Sequence, residues 1–252
     1  MLVLNKINIT FSNNHILKDI SCHVNPGDFI VIVGGNGAGK STFFDTIAGK
    51  NIPDSGSIIF NQKDITYANE STRAHYIARI FQNTNLNSIG NLTVLENLAV
   101  SQFNNTKSSL RNGTSRMSIE KALNLLDLVG LPKHIIHTKM NRLSGGQRQL
   151  IAFIMVTQLR PQLLLLDEPT AALDPQASTK LLFHATEFIK KNNTTTLLIT
   201  HDPYIAINMG NKIWILENGR IIKEYNEEEK KNIIDPTKLI GQIDYQILKN
   251  IQ

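Results

Sequence analysis

The sequence is poor in several features that would define its class at once. It has one cysteine, Cys22, and one tryptophan in 252 residues, and aromatic residues make up 6% of the chain. A single cysteine excludes an internal disulfide and suits a reducing compartment. The N-terminus lacks a basic stretch followed by a long apolar core, so we predict no signal peptide. The longest apolar runs fall far short of the ~20 residues that a bilayer-spanning helix needs, so a membrane role would require docking onto a separate membrane subunit.

The excess of one sign of charge is small as well. The chain has 26 Lys and Arg against 21 Asp and Glu, a net charge of +5, and a pI of about 9.2. This excess is compatible with a phosphate-rich ligand, an anionic membrane surface or nucleic acid. Because the basic residues are dispersed, an ordinary solvated surface is favoured, and we expect no nucleic-acid partner.

The pattern along the chain predicts one α/β domain with a helical insertion. Residues 1–91 and 160–225 alternate strand-like and helix-like runs, which predicts a core with antiparallel strands near its N-terminus. Residues 92–159 carry apolar residues at helical spacing with few strand signals, which predicts an inserted helical subdomain. Residues 226–252 are polar with a helical period and predict a short C-terminal tail, and residues 104–115 have the composition of a solvent loop.

The individual elements follow from the same patterns. Two or three short strands are predicted before residue 25, with a turn at residues 12–14, and a hairpin is predicted around Asn218-Gly219. Further strands are predicted at residues 28–33, 56–60, 77–81, 163–167 and 195–200. Helices are predicted at residues 40–48, 93–103, 118–129, 145–159 and 175–191.

A glycine-rich segment between a predicted strand and a predicted helix carries the first chemical signal. Residues 34–41 read GGNGAGKS and match the phosphate-loop pattern G-x-x-x-x-G-K-[ST] in its expected context. Its N–H groups would turn onto phosphate oxygens, Lys40 would supply a charge for the β- and γ-phosphates, and the Ser41 hydroxyl would ligate Mg²⁺. We expect unusual backbone angles at four glycines, Gly34, Gly35, Gly37 and Gly39. The loop by itself predicts only binding of a nucleoside triphosphate.

An acidic pair ends the second buried strand. Residues 163–170 read LLLLDEPT, so Asp167 and Glu168 follow four leucines. In a doubly wound sheet this strand end lies beside the phosphate loop. Asp167 would then hold the metal through water, and Glu168 would orient an attacking water and accept its proton. Without the phosphate loop, a surface acid pair would be the favoured interpretation.

A second glycine-opened helix start lies about a hundred residues after the first. Residues 143–149 read LSGGQRQ, with Ser144 suited to the N-cap position. Gly145 and Gly146 leave backbone N–H groups open, which predicts a second anion site. Taken alone, the segment is also explained by an ordinary capped helix.

These segments together resemble the ATP-binding cassette (ABC) ATPases, in which LSGGQ is the defining signature. The resemblance covers residues 1 to about 225 and implies a P-loop NTPase (RecA-like) α/β core with an antiparallel β subdomain and a helical subdomain. Gln82 stands where the family has its Q-loop, Asp174 where it has its D-loop, and His201 where it has its switch histidine. Phe11 is placed like the aromatic residue that stacks on adenine. Two positions depart from the commonest pattern: Phe11 replaces Tyr, and Gly35 replaces Pro.

The resemblance implies binding of ATP and Mg²⁺ by two copies paired head to tail. Catalytic roles fall to Lys40, Gln82, Glu168 and His201, and metal ligation to Ser41, Gln82 and Asp167. The implied nucleotide-binding residues are Phe11, Gly34, Gly35, Asn36, Gly37, Ala38, Gly39, Lys40, Ser41, Thr42, Ser144, Gly145, Gly146, Gln147 and Asp174. Of these, Ser144 and Gly146 of a second copy would close on the γ-phosphate. Residues 83–92 would face a membrane subunit.

The wording around the motifs is most similar to importer cassettes that accompany permeases of the branched-chain amino-acid type. This implies an ATPase at the cytoplasmic face of the cell membrane, with a transmembrane permease, a second cassette (a homodimer) and a solute-binding protein as partners. A soluble cassette ATPase, such as one that assembles iron–sulfur clusters, would share every motif and stays open. Chromosome-organising cassettes need a long coiled coil, translation cassettes carry two copies per chain, and a plain P-loop kinase would lack LSGGQ.

Overall fold

The computed structural model describes residues 1–102, 118–236 and 239. Its strands are β1 (Leu2–Phe11), β2 (Asn14–Val24), β3 (Phe29–Val33), β4 (Ser55–Phe60), β5 (Lys63–Asp64), β6 (Ile77–Ile80), β7 (Leu163–Asp167), β8 (Thr195–Ile199), β9 (Lys212–Glu217) and β10 (Arg220–Tyr225). Its α-helices are α1 (Lys40–Ala48), α2 (Glu70–Arg73), α3 (Val94–Val100), α4 (Ile119–Leu128), α5 (Gly145–Thr157), α6 (Pro175–Asn192), α7 (Pro203–Asn208) and α8 (Glu227–Lys231).

Residue contacts group these elements into two units. The first contains Met1–Ile77, Leu163–Glu168 and the described residues from Asn193 onward. The second contains the described residues of Ala78–Gln162 together with Pro169–Asn192. Helix α6 therefore falls with the helices, whereas the sequence pattern had grouped it with the α/β core. The predicted domain limits themselves stay a prediction.

An antiparallel sheet in the first unit has the strand order β2-β1-β4-β5. Strand β1 buries alternate side chains, as a strand with one covered face does, and the buried residues are Leu2, Leu4, Ile7 and Ile9. The alternation changes phase between Leu4 and Ile7, where the register with β2 shifts and Lys6 has a φ of 47°. This bulge keeps both halves of the strand facing the same core.

The single cysteine lies inside the first unit. Cys22 on β2 is buried within the main apolar cluster. Burial, with a smaller contribution from Glu224, raises the pKa of its thiol far above the ordinary value. Because the thiolate is the reactive form, this cysteine is inert at neutral pH.

The second sheet of this unit has the strand order β10-β9-β3-β8-β7, with β9, β3, β8 and β7 parallel and β10 antiparallel to β9. Strands β3, β7 and β8 are buried at every residue, which explains why they read as unbroken apolar runs. Ile32 and Asp167 each pair in register with Ile199 of β8, so three carboxyl ends lie along one edge. Asn218 and Gly219 both have positive φ, and they join β9 to β10 as the hairpin prediction required.

Helices dominate the second unit. Helix α3 begins at a capping box of Thr93 and Glu96, and Ser118 caps α4. Helix α5 packs on α6, where the rings of Phe153 and Phe188 meet edge to face at 5.9 Å. None of the helices in the described part of the chain combines the length and apolar character of a bilayer-spanning segment.

The predicted elements are confirmed with small shifts at their ends, and two long strands replace the two or three short ones expected before residue 25. One shift has a visible cause: β6 ends at Ile80 rather than Phe81, because Asn87 binds both backbone groups of Phe81. Of the predicted tail, the described residues contain the short helix α8. The loop predicted at residues 104–115 lies outside the described residues.

Candidate functional site

The phosphate-loop segment connects the buried strand β3 to helix α1. Gly39 occupies the N-cap with a φ of 98°, and a glycine there supplies no side chain to occupy the first-turn N–H groups. The first turn also carries no acidic residue. The positive end of α1 is therefore open to an anion through its backbone N–H groups and its dipole. Asn36, Gly37 and Ser41 on this loop are exposed, whereas Ala38 is buried.

The glycines of this loop serve two different purposes. Gly37 and Gly39 have φ values of 78° and 98°, as expected of residues that turn their N–H groups inward. For Gly34 and Gly35 the prediction of unusual backbone angles was wrong, because neither has a positive φ. Gly34 is needed for space instead: a Cβ there would lie 2.2 Å from the carbonyl oxygen of Leu216.

Lys40 is folded onto its own loop. Its Nζ donates to the carbonyl oxygens of Gly34 at 2.8 Å and Gly35 at 3.0 Å, and the side chain is buried. Burial lowers the pKa of Lys40, and the carboxylates of Glu168 and Asp167 act in the opposite direction. The two acids at the end of β7 are thus electrostatic neighbours of the phosphate loop, as the sequence pattern predicted.

The acid pair and His201 meet at the carboxyl edge of the parallel sheet. Asp167, the last residue of β7, is buried, and Glu168 has a φ of 43°. The N–H of Glu168 donates to the carbonyl oxygen of Ile199, the last residue of β8. Oε2 of Glu168 lies 3.1 Å from Nδ1 of His201. The side chain of His201 is 66% exposed, and that of Glu168 is 15% exposed. The strained backbone at Glu168 is of the kind that functional sites retain.

In the second unit, the LSGGQ segment forms the start of α5. Ser144 Oγ accepts from the N–H of Gln147 at 3.2 Å, and Gln147 Oε1 accepts from the N–H of Ser144 at 3.0 Å. This capping box satisfies one first-turn donor and leaves the N–H groups of Gly145 and Gly146 outside it. A Cβ at Gly146 would lie 2.6 Å from Cβ of Ala177, so this glycine also permits close packing of α6.

The remaining predicted residues lie at the ends of elements. Phe11 ends β1 and is 46% exposed, which leaves a ring face accessible. Gln82 follows β6 in the second unit and is exposed. Asp174, also in the second unit, accepts from the N–H of Ala177 at 2.9 Å and so caps α6. Lys40, Asp167, Glu168 and His201 are brought together in the first unit, and the signature residues belong to the second.

One positioning residue was missed from sequence. Arg73 is fully buried and donates to the carbonyl oxygens of Thr46 and Ile47, at the C-terminal end of α1. It also donates to backbone oxygens of residues 65, 66 and 68, so it ties α1 to the neighbouring turn. An arginine in a polar stretch gives no signal of this role, because its partners are backbone groups far along the chain.

The family model described as "ABC transporter" matches residues 17–171. The chain is 33% identical over 243 residues to the tyrosine transport ATP-binding protein of Clostridioides difficile, an alignment that covers 92% of this chain and 95% of that protein. It is also 33% identical over 239 residues to the probable branched-chain amino acid transport ATP-binding protein LivG of Methanocaldococcus jannaschii, with 91% of each covered.

Solved structures agree. The ADP conformation of MJ1267, an ATP-binding cassette of an ABC transporter, superposes with a TM-score of 0.78 at 32% identity, covering 97% of this chain and 98% of that one. The dimeric post-hydrolysis cassette MJ0796 bound to ADP and Pi superposes with a TM-score of 0.76 at 26% identity, covering 90% and 99%. The predicted fold class, a P-loop NTPase core with antiparallel β and helical parts, is confirmed.

Proposed function

The chain belongs to the ABC transporter family and is an ATP-binding, ATP-hydrolysing transport subunit, and from that premise we propose that it drives import of a small amino-acid-like solute. The open N-terminus of α1 beside Glu168 and His201 is the observation that carries the proposal. Relatives named for tyrosine and branched-chain amino acid transport support the solute class. The family and these relatives leave no support for the soluble iron–sulfur assembly alternative.

We infer the roles in hydrolysis from the contacts of this edge. The N–H groups from Gly34 to Thr42 and the Lys40 ammonium bind the β- and γ-phosphates. Glu168 orients the attacking water and accepts its proton, since a partly buried carboxylate beside an imidazole is held in one rotamer. His201 fixes Glu168 through Nδ1 and, being two-thirds exposed, presents its other ring nitrogen to the γ-phosphate.

The same edge suits a magnesium ion. Asp167 supplies a buried carboxylate at the end of β7, and Ser41 supplies an exposed hydroxyl in the first turn of α1. Both are the hard oxygen ligands that Mg²⁺ prefers. We propose that these two residues, with the amide oxygen of Gln82, hold the ion. When bound, it would neutralise charge on the β- and γ-phosphate oxygens.

A second copy completes each site in this proposal. Ser144 and Gly146 of the second copy close on the γ-phosphate, because the capping box leaves the hydroxyl hydrogen of Ser144 and the N–H of Gly146 free to donate. Two-fold pairing then gives two sites per dimer. ATP binds the closed dimer more tightly than the open one, so binding shifts the population and hydrolysis reverses the shift. The exposed Phe11 ring stacks on adenine, and Asp174 contacts the opposite copy.

We further propose that the protein works as a peripheral subunit on the cytoplasmic face of the cell membrane. It docks there onto a transmembrane permease through residues 83–92, and a solute-binding protein supplies the substrate. The named relatives support this arrangement, because they are transport ATP-binding proteins. A pull-down from detergent-solubilised membranes should recover the permease, and crosslinks from residues 83–92 should reach it. An intact complex without those crosslinks would remove this segment from the interface.

The substitution Glu168→Gln tests the catalytic assignment. It keeps the shape and the hydrogen bond to His201 but removes the proton acceptor, so ATP turnover should fall about 100-fold or more. ATP binding should persist, and the trapped nucleotide should hold the protein as a dimer in size-exclusion chromatography. The matched control is Glu187→Gln on the exposed face of α6, which should leave turnover unchanged. Near-normal turnover in Glu168→Gln would remove Glu168 from the role of base.

A further inference from the structure

The segment Asn83–Leu92, which follows Gln82, combines an exposed outer surface with a fixed backbone. Two of its three large apolar side chains, Leu86 and Ile89, are 64% and 50% exposed. A short 3-10 turn at Thr84–Leu86 is closed by Asn83, whose side chain accepts from the N–H of Asn85. The backbone of this segment is therefore ordered by hydrogen bonds, although much of its surface faces outward.

Two asparagine side chains act as clamps: Asn87 in the middle of the segment holds Phe81 just before it, and Asn97 holds Ile89 within it. Asn87 Oδ1 accepts from the N–H of Phe81 at 2.8 Å, and its Nδ2 donates to the Phe81 carbonyl at 2.9 Å. Asn97, on α3 and 1% exposed, makes the same pair of bonds to Ile89, at 2.8 Å and 3.1 Å. Each clamp imitates a strand partner, so the segment is held much as an inner strand is held.

The segment is also tied to the residues that run into the LSGGQ helix. Backbone bonds join the N–H of Asn141 to the carbonyl of Gly90 and the N–H of Met140 to that of Leu92, both at 3.0 Å. Behind them, Gln149 on α5 is completely buried.

Gln149 connects helix α5 to the first clamp. Its Oε1 accepts from Asn87 Nδ2 at 3.1 Å, and its Nε2 donates to the Phe81 carbonyl at 3.4 Å. A buried amide whose donor and acceptor are both satisfied has few alternative positions, because leaving either group without a partner is costly.

We propose that Gln149 is a positioning residue that makes the segment Asn83–Leu92 follow the movement of the signature helix. The inference rests on the proposed function, in which the start of α5 binds nucleotide on a second copy and the segment faces the permease. Gln149 lies on α5, five residues after its N-cap Ser144. Closure of Ser144 onto phosphate therefore displaces Gln149 with the helix, and the Asn87 clamp passes this displacement to the segment.

Hydrogen exchange of the purified full-length protein tests this proposal. In the Glu168→Gln background, Mg-ATP should slow amide exchange in peptides covering residues 81–92 by at least ~5-fold, because opening of the two clamps becomes rarer. With Gln149→Met, which keeps volume but removes both hydrogen bonds, the ATP-dependent change should shrink to less than ~2-fold. ATP-dependent dimerisation and slowed exchange at residues 143–147 should remain.

Controls separate coupling from general destabilisation. Gln158→Met lies at the end of the same helix and loses a bond to Gln102 instead, so it should keep the ATP-dependent change. Asn87→Ala removes the other side of the link together with the two bonds to Phe81, so the ATP-dependent change should shrink in this variant as well, which provides a second route if Gln149→Met folds poorly. The ATP-dependent change in the double variant should be no smaller than in Gln149→Met alone, because the bond between Gln149 and Asn87 is already lost there.

The outcomes are distinguishable. If the parent protein neither binds Mg-ATP nor dimerises, the proposed function fails. If it does both but residues 81–92 show no ATP-dependent change, or if Gln149→Met keeps that change, the proposed role of Gln149 is overturned. Additive effects of the two substitutions would also contradict it.

Discussion

The two glycine-opened helix starts of this protein look alike in sequence but differ in what they complete on their own. At the start of α1, Gly39 adds no cap, and Lys40 supplies a cation within the same loop. At the start of α5, Ser144 and Gln147 cap each other. The LSGGQ motif contains no cationic residue, and Arg148 follows directly after it. In the proposed function, the first is an anion site complete within a single chain. The second is a stable helix start that offers only a few remaining donors, as expected of a surface that closes on a nucleotide bound elsewhere.

The largest effect should come from filling the space at the first site. Gly34→Ala places a Cβ 2.2 Å from the Leu216 carbonyl, so strands must shift, and we expect unfolding to become easier by about 3 kcal/mol. Urea denaturation and ATP binding measure the loss. The control is Gly90→Ala, where the nearest atom would lie 3.5 Å away and stability should change little. Equal stability of the two variants would show that Gly34 is not sterically required.

The second site also has a position with no room for a side chain, Gly146 in the first turn of α5. Gly146→Ala brings a Cβ to 2.6 Å from that of Ala177, which should cost about 2 kcal/mol of unfolding free energy. Adding Ala177→Gly should recover most of this loss, because the two methyl groups compete for one volume. Gly145→Ala, whose new methyl group would meet no atom closer than 3.5 Å, should be neutral in thermal denaturation. Failure of the double variant to recover would point to a different cause.

An acidic substitution at Ser144 distinguishes its role as an N-cap from its proposed contact with nucleotide. Asp is as good an N-cap as Ser, so Ser144→Asp should leave the melting temperature nearly unchanged. Its carboxylate would face the γ-phosphate of the second copy, and ATP turnover should fall about 10-fold or more. Ser144→Ala should instead lose about 1 kcal/mol of stability with the cap. If Ser144→Asp turned over ATP normally, the start of α5 would not contact nucleotide.

The smallest expected difference concerns pH. Burial lowers the pKa of Lys40 below its value of 10.5 in the unfolded chain. Between the folded pKa and 10.5 the unfolded state binds more protons, so stability rises with pH across that window, while nucleotide affinity falls. Relative to Lys40→Met, the wild-type protein should therefore gain unfolding free energy as the pH rises toward 10.5. A flat difference between the two proteins would contradict the shift. Residues 143–147 contain no group that titrates in this range.

How far the sequence predicts this molecule depends on the range of each interaction. Local patterns were sufficient for α1, whose bounds were predicted to the residue, and for the hairpin at Asn218-Gly219. The rule that ligands collect at the carboxyl ends of parallel strands predicted that the strand ending at Asp167 lies beside the phosphate loop, but it does not specify the register that pairs Asp167 with Ile199.

What could not be predicted depends on partners distant in the chain. The space requirement of Gly34 comes from Leu216, and that of Gly146 comes from Ala177. The Arg73 cap of α1 joins a side chain to carbonyls 26 and 27 residues away. No periodicity or motif records such contacts, because they exist only once the chain is folded.

The burial of Cys22 has a practical consequence for probing the second copy and the membrane subunit. Its thiol is shielded and stays protonated, so maleimides and bifunctional thiol reagents should leave the wild-type chain unlabelled. A cysteine introduced at Leu86 or Ile89 would then be the only thiol in the protein that these reagents label. Crosslinkers of defined length and spin labels can therefore be attached without first replacing the native cysteine in the core.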